Sequence, residues 1–174
     1  MPPRRQCEAV GQYILYNSIK MSEKSKKSAG ILLYRKIHLI EFLLVHPGGP
    51  FWKNKDSGVW SIPKGEFMET ELPLNAAIRE FEEEIGILLK GDFLELSPIK
   101  QKNGKLVFAW ALEGEVDTNS IKSNLFELEW PPKSGKKQMF PEIDKAQWFG
   151  FEEAKQKIIE AQVNLIEELM RKTH

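Results

Sequence analysis

Hydrophobic and polar positions along the chain predict strands that alternate with helices from residue 28 onward. Apolar runs rich in β-branched and aromatic residues are typical of strands, and these runs are SAGILLYR, IEFLLVH, DFLELSPIKQ, KLVFAWALEGE, FELEW and AQWFGF. A shorter run, VWSIPKG, predicts one more strand that stops at Pro63.

Two segments have the pattern of helices. The pattern over residues 72–86 predicts an amphipathic helix that ends at Gly86. Its apolar face is formed by residues at helical spacing: Leu74, Ile78, Phe81 and Ile85. The stretch EEAKQKIIEAQVNLIEELMRK predicts a long C-terminal helix. This order of elements implies an α/β fold in which a mixed β-sheet packs between helices.

A long loop is predicted between the second strand and the short one. The segment HPGGPFWKNKDSG, residues 46–58, is rich in Gly and Pro. Long ordered loops in compact domains often carry function. His46, which ends the strand before it, is predicted to pack or cap rather than to act as a nucleophile.

Length and composition fit one globular domain with a hydrophobic core. The chain has 174 residues, of which 41% are hydrophobic and 29% charged. Lys plus Arg and Asp plus Glu both count 25, so no net field favours long nucleic acids or anionic membranes. No apolar run reaches the roughly 18 residues of a membrane span. Cys7 is the only cysteine, which predicts a reducing, cytoplasmic location.

The N-terminal segment differs from the rest of the chain. We predict a peripheral extension over residues 1–27 and a single domain over residues 28–174. Met21 is a second plausible start, and residues 1–20 are predicted to be a dispensable leader rather than a functional arm.

Four glutamates crowd the middle of the first predicted helix: Glu80, Glu82, Glu83 and Glu84. Like charges at i and i+4 repel by a few tenths of a kcal/mol. Glu80, Glu83 and Glu84 project from one side of such a helix, opposite its apolar face. Carboxylates grouped in this way suit Mg²⁺ or Mn²⁺. A solvated acidic helix face is the other interpretation of the cluster alone.

The spacing around the cluster resembles the Nudix box. It comprises Gly65, Glu71, Arg79, Glu80, Glu83, Glu84 and Gly86, with apolar Phe81 and Ile87. The resemblance is strongest over residues 28–87 and extends more weakly to the end of the chain. It implies a Nudix-type α/β/α sandwich, and a hydrolase that uses Mg²⁺ (or Mn²⁺) to cleave a phosphoanhydride bond.

The resemblance also implies a role for each residue of the box. Glu80, Glu83 and Glu84 match the family's metal ligands, while Glu82 is predicted to be solvated. Gly65 lets the chain turn sharply after a strand, so that backbone groups can approach a ligand. Glu71 opens the helix and pairs with Arg79. Arg79 supports catalysis as a brace that keeps the carboxylates from splaying.

Two glutamates are candidates for the general base. One is Glu83, and the other is Glu142, which lies six residues before Trp148. Similar family members place a catalytic or metal-binding glutamate at that distance before an aromatic strand residue. An ordinary loop glutamate is the alternative interpretation of Glu142.

Candidate substrate-binding residues flank the box. Lys64, next to Gly65, is expected to bind phosphate. The predicted loop 130–142 adds Lys136 for the polyphosphate and Phe140 for stacking on a base, although Lys-rich loops are commonly just solvated. Further aromatic residues form either a purine platform or part of the core, and these are Trp52, Trp60, Phe108 and Trp110.

Two stretches bear on the substrate. SIPKGE resembles the Nudix branch that acts on dinucleoside polyphosphates and diphosphoinositol polyphosphates, while HPGGPFWKNKDSGVWSIPKGE resembles a bacterial group without a clear substrate. We expect a small nucleoside polyphosphate or dinucleoside polyphosphate, such as diadenosine tetraphosphate. The alternatives are a housecleaning nucleoside triphosphate pyrophosphatase for oxidised nucleotides and a non-catalytic Nudix ligand sensor.

Overall fold

The computed structural model describes residues 26–173, which form a mixed β-sheet between helices. The strands are β1 (Lys27–Lys36), β2 (Ile40–Pro47), β3 (Lys64–Glu66), β4 (Leu94–Lys100), β5 (Leu106–Glu113), β6 (Leu125–Glu129), β7 (Lys137–Pro141) and β8 (Ile143–Gly150). The helices are α1 (Pro73–Ile85), α2 (Phe151–Lys157) and α3 (Val163–Thr173), with a 3₁₀ turn at Glu160–Gln162. The predicted α/β/α sandwich is confirmed.

The central strand β1 has partners along both edges. Residues 27–34 of β1 pair in parallel with β5, and the main sheet runs in the order β4-β5-β1-β2-β8. On its other edge, residues 34–36 pair with β2 and residues 28–30 pair with β3, both antiparallel. The short strand β3 therefore enters the sheet where β2 diverges from β1. A separate two-stranded sheet is formed by β6 and β7.

The core has two layers, one on each face of the sheet. Alternate residues of β1 lie in different layers: Ala29, Ile31 and Leu33 pack with α1, whereas Leu32 and Tyr34 pack with α2 and α3. Because both faces of β1 are covered, its sequence is a continuous apolar run rather than an alternating one. The remaining long strand predictions are confirmed to within a few residues at each end.

Helix α1 ends as predicted but begins later. Gly86 has φ 84°, the left-handed conformation that glycine favours at a helix end. The helix begins at Pro73, so Glu71 precedes the helix rather than opening it. Its buried residues are Ala76, Ala77, Phe81 and Ile85. Leu74 and Ile78 are only partly buried, because the two alanines provide the close contact with the sheet.

The predicted single C-terminal helix is wrong, because the chain breaks at Ile158. The backbone there is extended, with φ −70° and ψ 149°. Ile158 pairs with Trp60, whose carbonyl accepts the Ile159 N–H (2.8 Å), and the Trp60 N–H donates to the Lys157 carbonyl (3.1 Å). These long-range bonds replace the helical ones. Farther on, the Gln162 side-chain oxygen accepts the buried Ile62 N–H (2.9 Å).

The predicted strand ending at Pro63 is also wrong. Ser61 makes only an isolated bridge, to Val45, and β3 begins after the proline, at Lys64. Pro63 has no N–H, but its carbonyl accepts the Ile31 N–H (3.1 Å). Gly65 consequently lies within a strand, opposite Ala29, and the sharp turn predicted at this glycine is not formed.

The ends of the described region bear on two other predictions. The predicted extension over residues 1–27 falls almost entirely on residues 1–25, outside the described residues. Among residues 26–173, no helix is both long enough and apolar enough to cross a membrane.

Candidate active site

Arg79 lies at the centre of the box and contacts three carboxylates. Its guanidinium donates to both oxygens of Glu71, Nε to Oε1 at 2.9 Å and Nη2 to Oε2 at 3.0 Å. Nη1 donates to Oε1 of Glu80 (2.6 Å) and to Oε1 of Glu83 (3.1 Å). The hydrogen bonds to Glu71, followed by those to Glu80 and Glu83, raise the pKa of Arg79. Arg79 therefore stays charged and draws these carboxylates together.

Gly65 is required by a close approach. A Cβ atom at this position would lie 1.8 Å from Oε2 of Glu80, well inside van der Waals contact. The Glu80 side chain is only 13% exposed and fills the space beside β3. Burial raises the pKa of Glu80, although Arg79 acts in the opposite direction. The glycine thus makes room for a carboxylate, which corrects the role predicted for it.

Glu84 binds the backbone of the same strand. Its Oε2 accepts the N–H of Lys64 at 3.1 Å. Burial raises the pKa of Glu84 well above its usual range, and the charges of Glu80 and Glu142 act in the same direction. Burial also lowers the pKa of Lys64, against the attraction of Glu84. The predicted ligands Glu80 and Glu84 thus face β3 and are partly buried, rather than lying opposite the apolar face.

The structure brings Glu142 close to the box. Its N–H donates to the Asn124 carbonyl (2.8 Å), and the Asn124 N–H donates to the Glu83 carbonyl (3.1 Å). The charge of Glu142 contributes to the raised pKa of both Glu80 and Glu84. Glu142 itself is exposed. Four carboxylates from two distant parts of the chain therefore share one neighbourhood.

The segment predicted as a loop over residues 130–142 is largely a strand. β7 pairs with β6, so that Phe140 lies opposite Phe126, with ring centroids 6.2 Å apart. Phe140 is partly buried and two residues from Glu142. Lys136 lies at the other end of β7, roughly 17 Å from Pro141 at the usual rise of a strand. The structure thus places Phe140, but not Lys136, near the carboxylates.

The donor set fits a hard cation, although the side chains are not arranged as ligands. Crowded carboxylate oxygens are what Mg²⁺ and Mn²⁺ prefer. Burial raises the pKa of both Glu80 and Glu84, so a cation beside them would stabilise their charged forms. Within residues 26–173, no three acidic, His or Cys side chains converge on one cation position. Arg79 Nη1 lies between Glu80 and Glu83 instead. Metal binding would require those two bonds to open, while the Glu71 pair can persist.

Most of the candidate platform residues lie in the core. Trp60 and Trp110 are buried, and Phe108 packs edge-on against Phe67 at 6.0 Å. Trp52 is 38% exposed. His46, predicted to pack, is buried and bonded through Nδ1 to Asp144 (2.7 Å).

Sequence analysis placed Phe126 and Trp130 in a strand but missed that Phe126 lies near the site and that Trp130 lies on the same face at the far end of the hairpin. Their spacing of four is the available signal, because residues at even spacing share one face of a strand.

A cavity of about 650 Å³ lies elsewhere, between the turn that joins β4 to β5 and the segment that joins α2 to α3. Its lining residues include none of the box carboxylates.

One known family model covers most of the chain. A family model described as "NUDIX domain" matches residues 24–169. A comparison with curated proteins gives no match.

Solved structures share the fold. A C. elegans Ap4A hydrolase in a binary complex is 24% identical, with a TM-score of 0.59, over 84% of this chain and 97% of that one. The NUDIX domain of Shewanella oneidensis NrtR with ADP ribose is 13% identical, with a TM-score of 0.64, over 94% and 98%. A mutT/nudix family protein from Listeria innocua is 14% identical, with a TM-score of 0.56, over 85% and 93%.

Proposed function

From the premise that this chain belongs to the NUDIX family and is a hydrolase of phosphorus-containing anhydrides, we propose that it is a Mg²⁺- or Mn²⁺-dependent pyrophosphohydrolase. Its proposed substrate is a nucleoside polyphosphate or dinucleoside polyphosphate. The observation that supports this is that Glu80, Glu84 and Glu142 lie in one neighbourhood, with Lys64 next to the first two and burial raising the pKa of both. Such a site favours a cation and, through it, a phosphate chain.

The proposed metal ligands are Glu80, Glu83 and Glu84. A bound divalent cation supplies neutralisation of the phosphates and a lowered pKa for bound water. Arg79 positions two of these carboxylates through its bonds to Glu80 and Glu83. We expect it to retain Glu71 as a partner when the cation displaces it from the other two.

Glu142 is our preferred general base. Glu83 is already a proposed metal ligand, whereas Glu142 is exposed and is held by its backbone beside Glu80 and Glu84. A base needs a free lone pair within reach of the water that it deprotonates. Glu83 remains the alternative base. Lys64 is proposed to bind phosphate because its ammonium lies within the field of Glu80 and Glu84, where a metal-bound phosphate would also lie.

The substrate class rests on the stretch SIPKGE and on the chemistry of the site. The named ligands of the structural neighbours, Ap4A and ADP ribose, belong to those proteins, which share the fold at 24% identity or less. A pyrophosphatase for oxidised nucleotides would use the same carboxylates with a different base pocket. A ligand sensor would bind without turnover, although the box here is complete. We further propose a cytoplasmic location from the single cysteine of the sequence.

One assay tests this proposal. The purified protein is incubated with Mg²⁺ and a panel of diadenosine polyphosphates, normal and oxidised nucleoside triphosphates, nucleotide sugars and diphosphoinositol phosphates, and the products are identified. We expect turnover of a polyphosphate that stops in chelator and returns with Mg²⁺ or Mn²⁺. Activity that persists in chelator would contradict the metal requirement, and binding without turnover would indicate a sensor.

A matched pair of variants locates the chemistry. Glu84→Gln keeps the shape of a partly buried side chain and removes its charge, so turnover should fall severely and metal should bind more weakly. Glu82→Gln changes an exposed neighbour on the same helix and should keep parental turnover. Equal activity in the two variants would remove Glu84 from the proposed site.

A further inference from the structure

One face of the β6–β7 hairpin is aromatic and partly buried. Antiparallel pairing puts Phe126 opposite Phe140, and Trp130, four residues after Phe126, projects from the same face. The Trp130 N–H donates to the Lys136 carbonyl (2.8 Å), which extends the pairing beyond β6. The opposite face is solvent-exposed, with residues Leu125, Glu127, Glu129, Lys137 and Met139. We call the partly buried face, with Phe126, Trp130 and Phe140, the inner face of the hairpin.

The loop over residues 47–58 lies against this inner face. A Cβ atom on Gly49 would be 3.1 Å from the Phe126 ring. Phe51 packs edge-on against Trp130, with centroids 5.3 Å apart and an interplanar angle of 85°. Phe51 nevertheless remains 54% exposed. Trp52 is 38% exposed, and Lys55 Nζ lies 4.8 Å from the centre of its ring. We call Phe51, Trp52 and Trp130 the aromatic platform.

The loop is held in place at its C-terminal end. Buried His46 donates through Nε2 to the Lys55 carbonyl (2.7 Å), since a carbonyl can only accept. Asp56 accepts from the Trp60 indole N–H (2.9 Å) and from Lys157. Phe51 therefore lies in a loop whose C-terminal end is anchored to the core, and its own ring contacts Trp130. A contiguous exposed patch of apolar rings, unlike a single exposed ring, is typical of a binding site.

The loop and the hairpin that carry the aromatic platform both lead to Glu142. At the N-terminal end of the loop, the Gly48 N–H donates to the Glu142 carbonyl (2.8 Å). Along the hairpin, Trp130 lies four residues from Phe126, or roughly 14 Å at the usual rise of a strand. Phe126 is in turn opposite Phe140, two residues from Glu142. The aromatic platform thus stands apart from the catalytic carboxylates by a distance that a chain of several phosphates can bridge.

We propose that this aromatic platform binds the nucleobase of a polyphosphate substrate, with the base stacked on the exposed side of Phe51. The idea rests on the proposed function and specifies its substrate. Base stacking on an aromatic ring suits any purine face, and Lys55, over the neighbouring Trp52 ring, adds positive charge to the aromatic platform. The separation from Glu142 favours substrates with several phosphates between the base and the cleaved bond. Diadenosine tetraphosphate fits this better than a nucleotide sugar.

Kinetics of three variants test the aromatic platform with diadenosine tetraphosphate as substrate. Phe51→Leu keeps apolar bulk against Trp130 but has no ring, so kcat/KM should fall roughly 5- to 150-fold, mainly through KM. Phe51→Trp restores a ring and should recover most of that loss. Leu39→Ala removes an apolar side chain that is 81% exposed on the turn between β1 and β2, and it should match the parent. A Phe51→Leu variant that behaves like Leu39→Ala would overturn the proposal.

Binding without turnover separates this proposal from the proposed function. Trp52 and Trp130 give a fluorescence signal, so AMP added in chelator should quench the parent, whereas inorganic tripolyphosphate should not. The AMP signal should weaken in Phe51→Leu. If the panel shows no hydrolysis but this pattern holds, the aromatic platform stands and the enzymatic proposal fails. If hydrolysis occurs but AMP and tripolyphosphate act alike, the aromatic platform is wrong.

Discussion

A methyl group at position 65 would collide with the Glu80 carboxylate. The three atoms nearest to the added Cβ all belong to that carboxylate, at 1.8, 2.1 and 2.5 Å. Ordinary contact begins at 3.4 Å, so in Gly65→Ala the nearest oxygen must retreat by about 1.6 Å. Misplacing a catalytic or ligating group by about 1 Å can cost roughly 10²-fold in rate. We therefore expect kcat to fall by about that factor and metal affinity to fall with it.

Stability should change little in the same variant. The colliding atoms are the end of a flexible side chain that can rotate away, and alanine has less freedom than glycine in the unfolded chain. We expect the free energy of unfolding to stay within about 1 kcal/mol of the parent. Denaturant unfolding and metal titration, measured beside kcat, give the three quantities needed.

Two other glycines serve as controls. In Gly30→Ala the new Cβ would lie 2.6 Å from the Pro63 carbonyl oxygen and 2.6 Å from Lys64 Cβ. The backbone cannot rotate away, so about 1–3 kcal/mol of stability should be lost. Gly150→Ala meets nothing within 4 Å and should leave turnover unchanged. Full activity in Gly65→Ala, or a loss of stability as large as in Gly30→Ala, would refute our account of this glycine.

Two further substitutions test the division of labour in the site. Arg79→Lys keeps the charge but loses the two-pronged bond to Glu71, so kcat should fall while the free energy of unfolding drops by less than about 1 kcal/mol, given the partial exposure of Arg79. Unchanged kcat would argue against a bracing role. Glu142→Gln should retain metal binding while kcat falls by about 10² to 10⁴, and the deficit should shrink as pH rises because hydroxide replaces the base. Glu82→Gln is the control for both, and full activity of Glu142→Gln would leave Glu83 as the base.

Features of the fold that depend on local interactions were predicted from the sequence, whereas features that depend on long-range contacts were not. Strands such as β1 and the end of α1 at Gly86 depend on local pattern and local backbone conformation, and both were predicted. The break at Ile158 depends on pairing with Trp60, far earlier in the chain, and helical periodicity contains no signal for it. Local rules also could not distinguish a glycine that turns the chain from one that admits a carboxylate, and Gly65 is the second kind.

The same distinction between local and long-range features applies to the candidate site. The box identified the residues around Arg79 from their spacing, since these lie on one helix and its approach. The place of Glu142 beside them depends on backbone bonds from Asn124 and Gly48. Asn124 has no distinctive sequence pattern, and the Gly- and Pro-rich composition around Gly48 does not predict this contact. Their contribution is visible only once the chain is folded.

The hydrogen bond between Gln162 and Ile62 has a consequence for how the protein is made. Ile62 leads directly into the strand that holds Lys64 and Gly65, and its buried N–H depends on a side chain 100 residues later. During translation, the Nudix box is synthesised long before Gln162. The nascent chain can therefore form α1 early, but it cannot secure the strand beside it until nearly all of the described domain has emerged. We expect chains truncated before Gln162 to fold incompletely and to be cleaved by proteases, even though they contain the whole Nudix box.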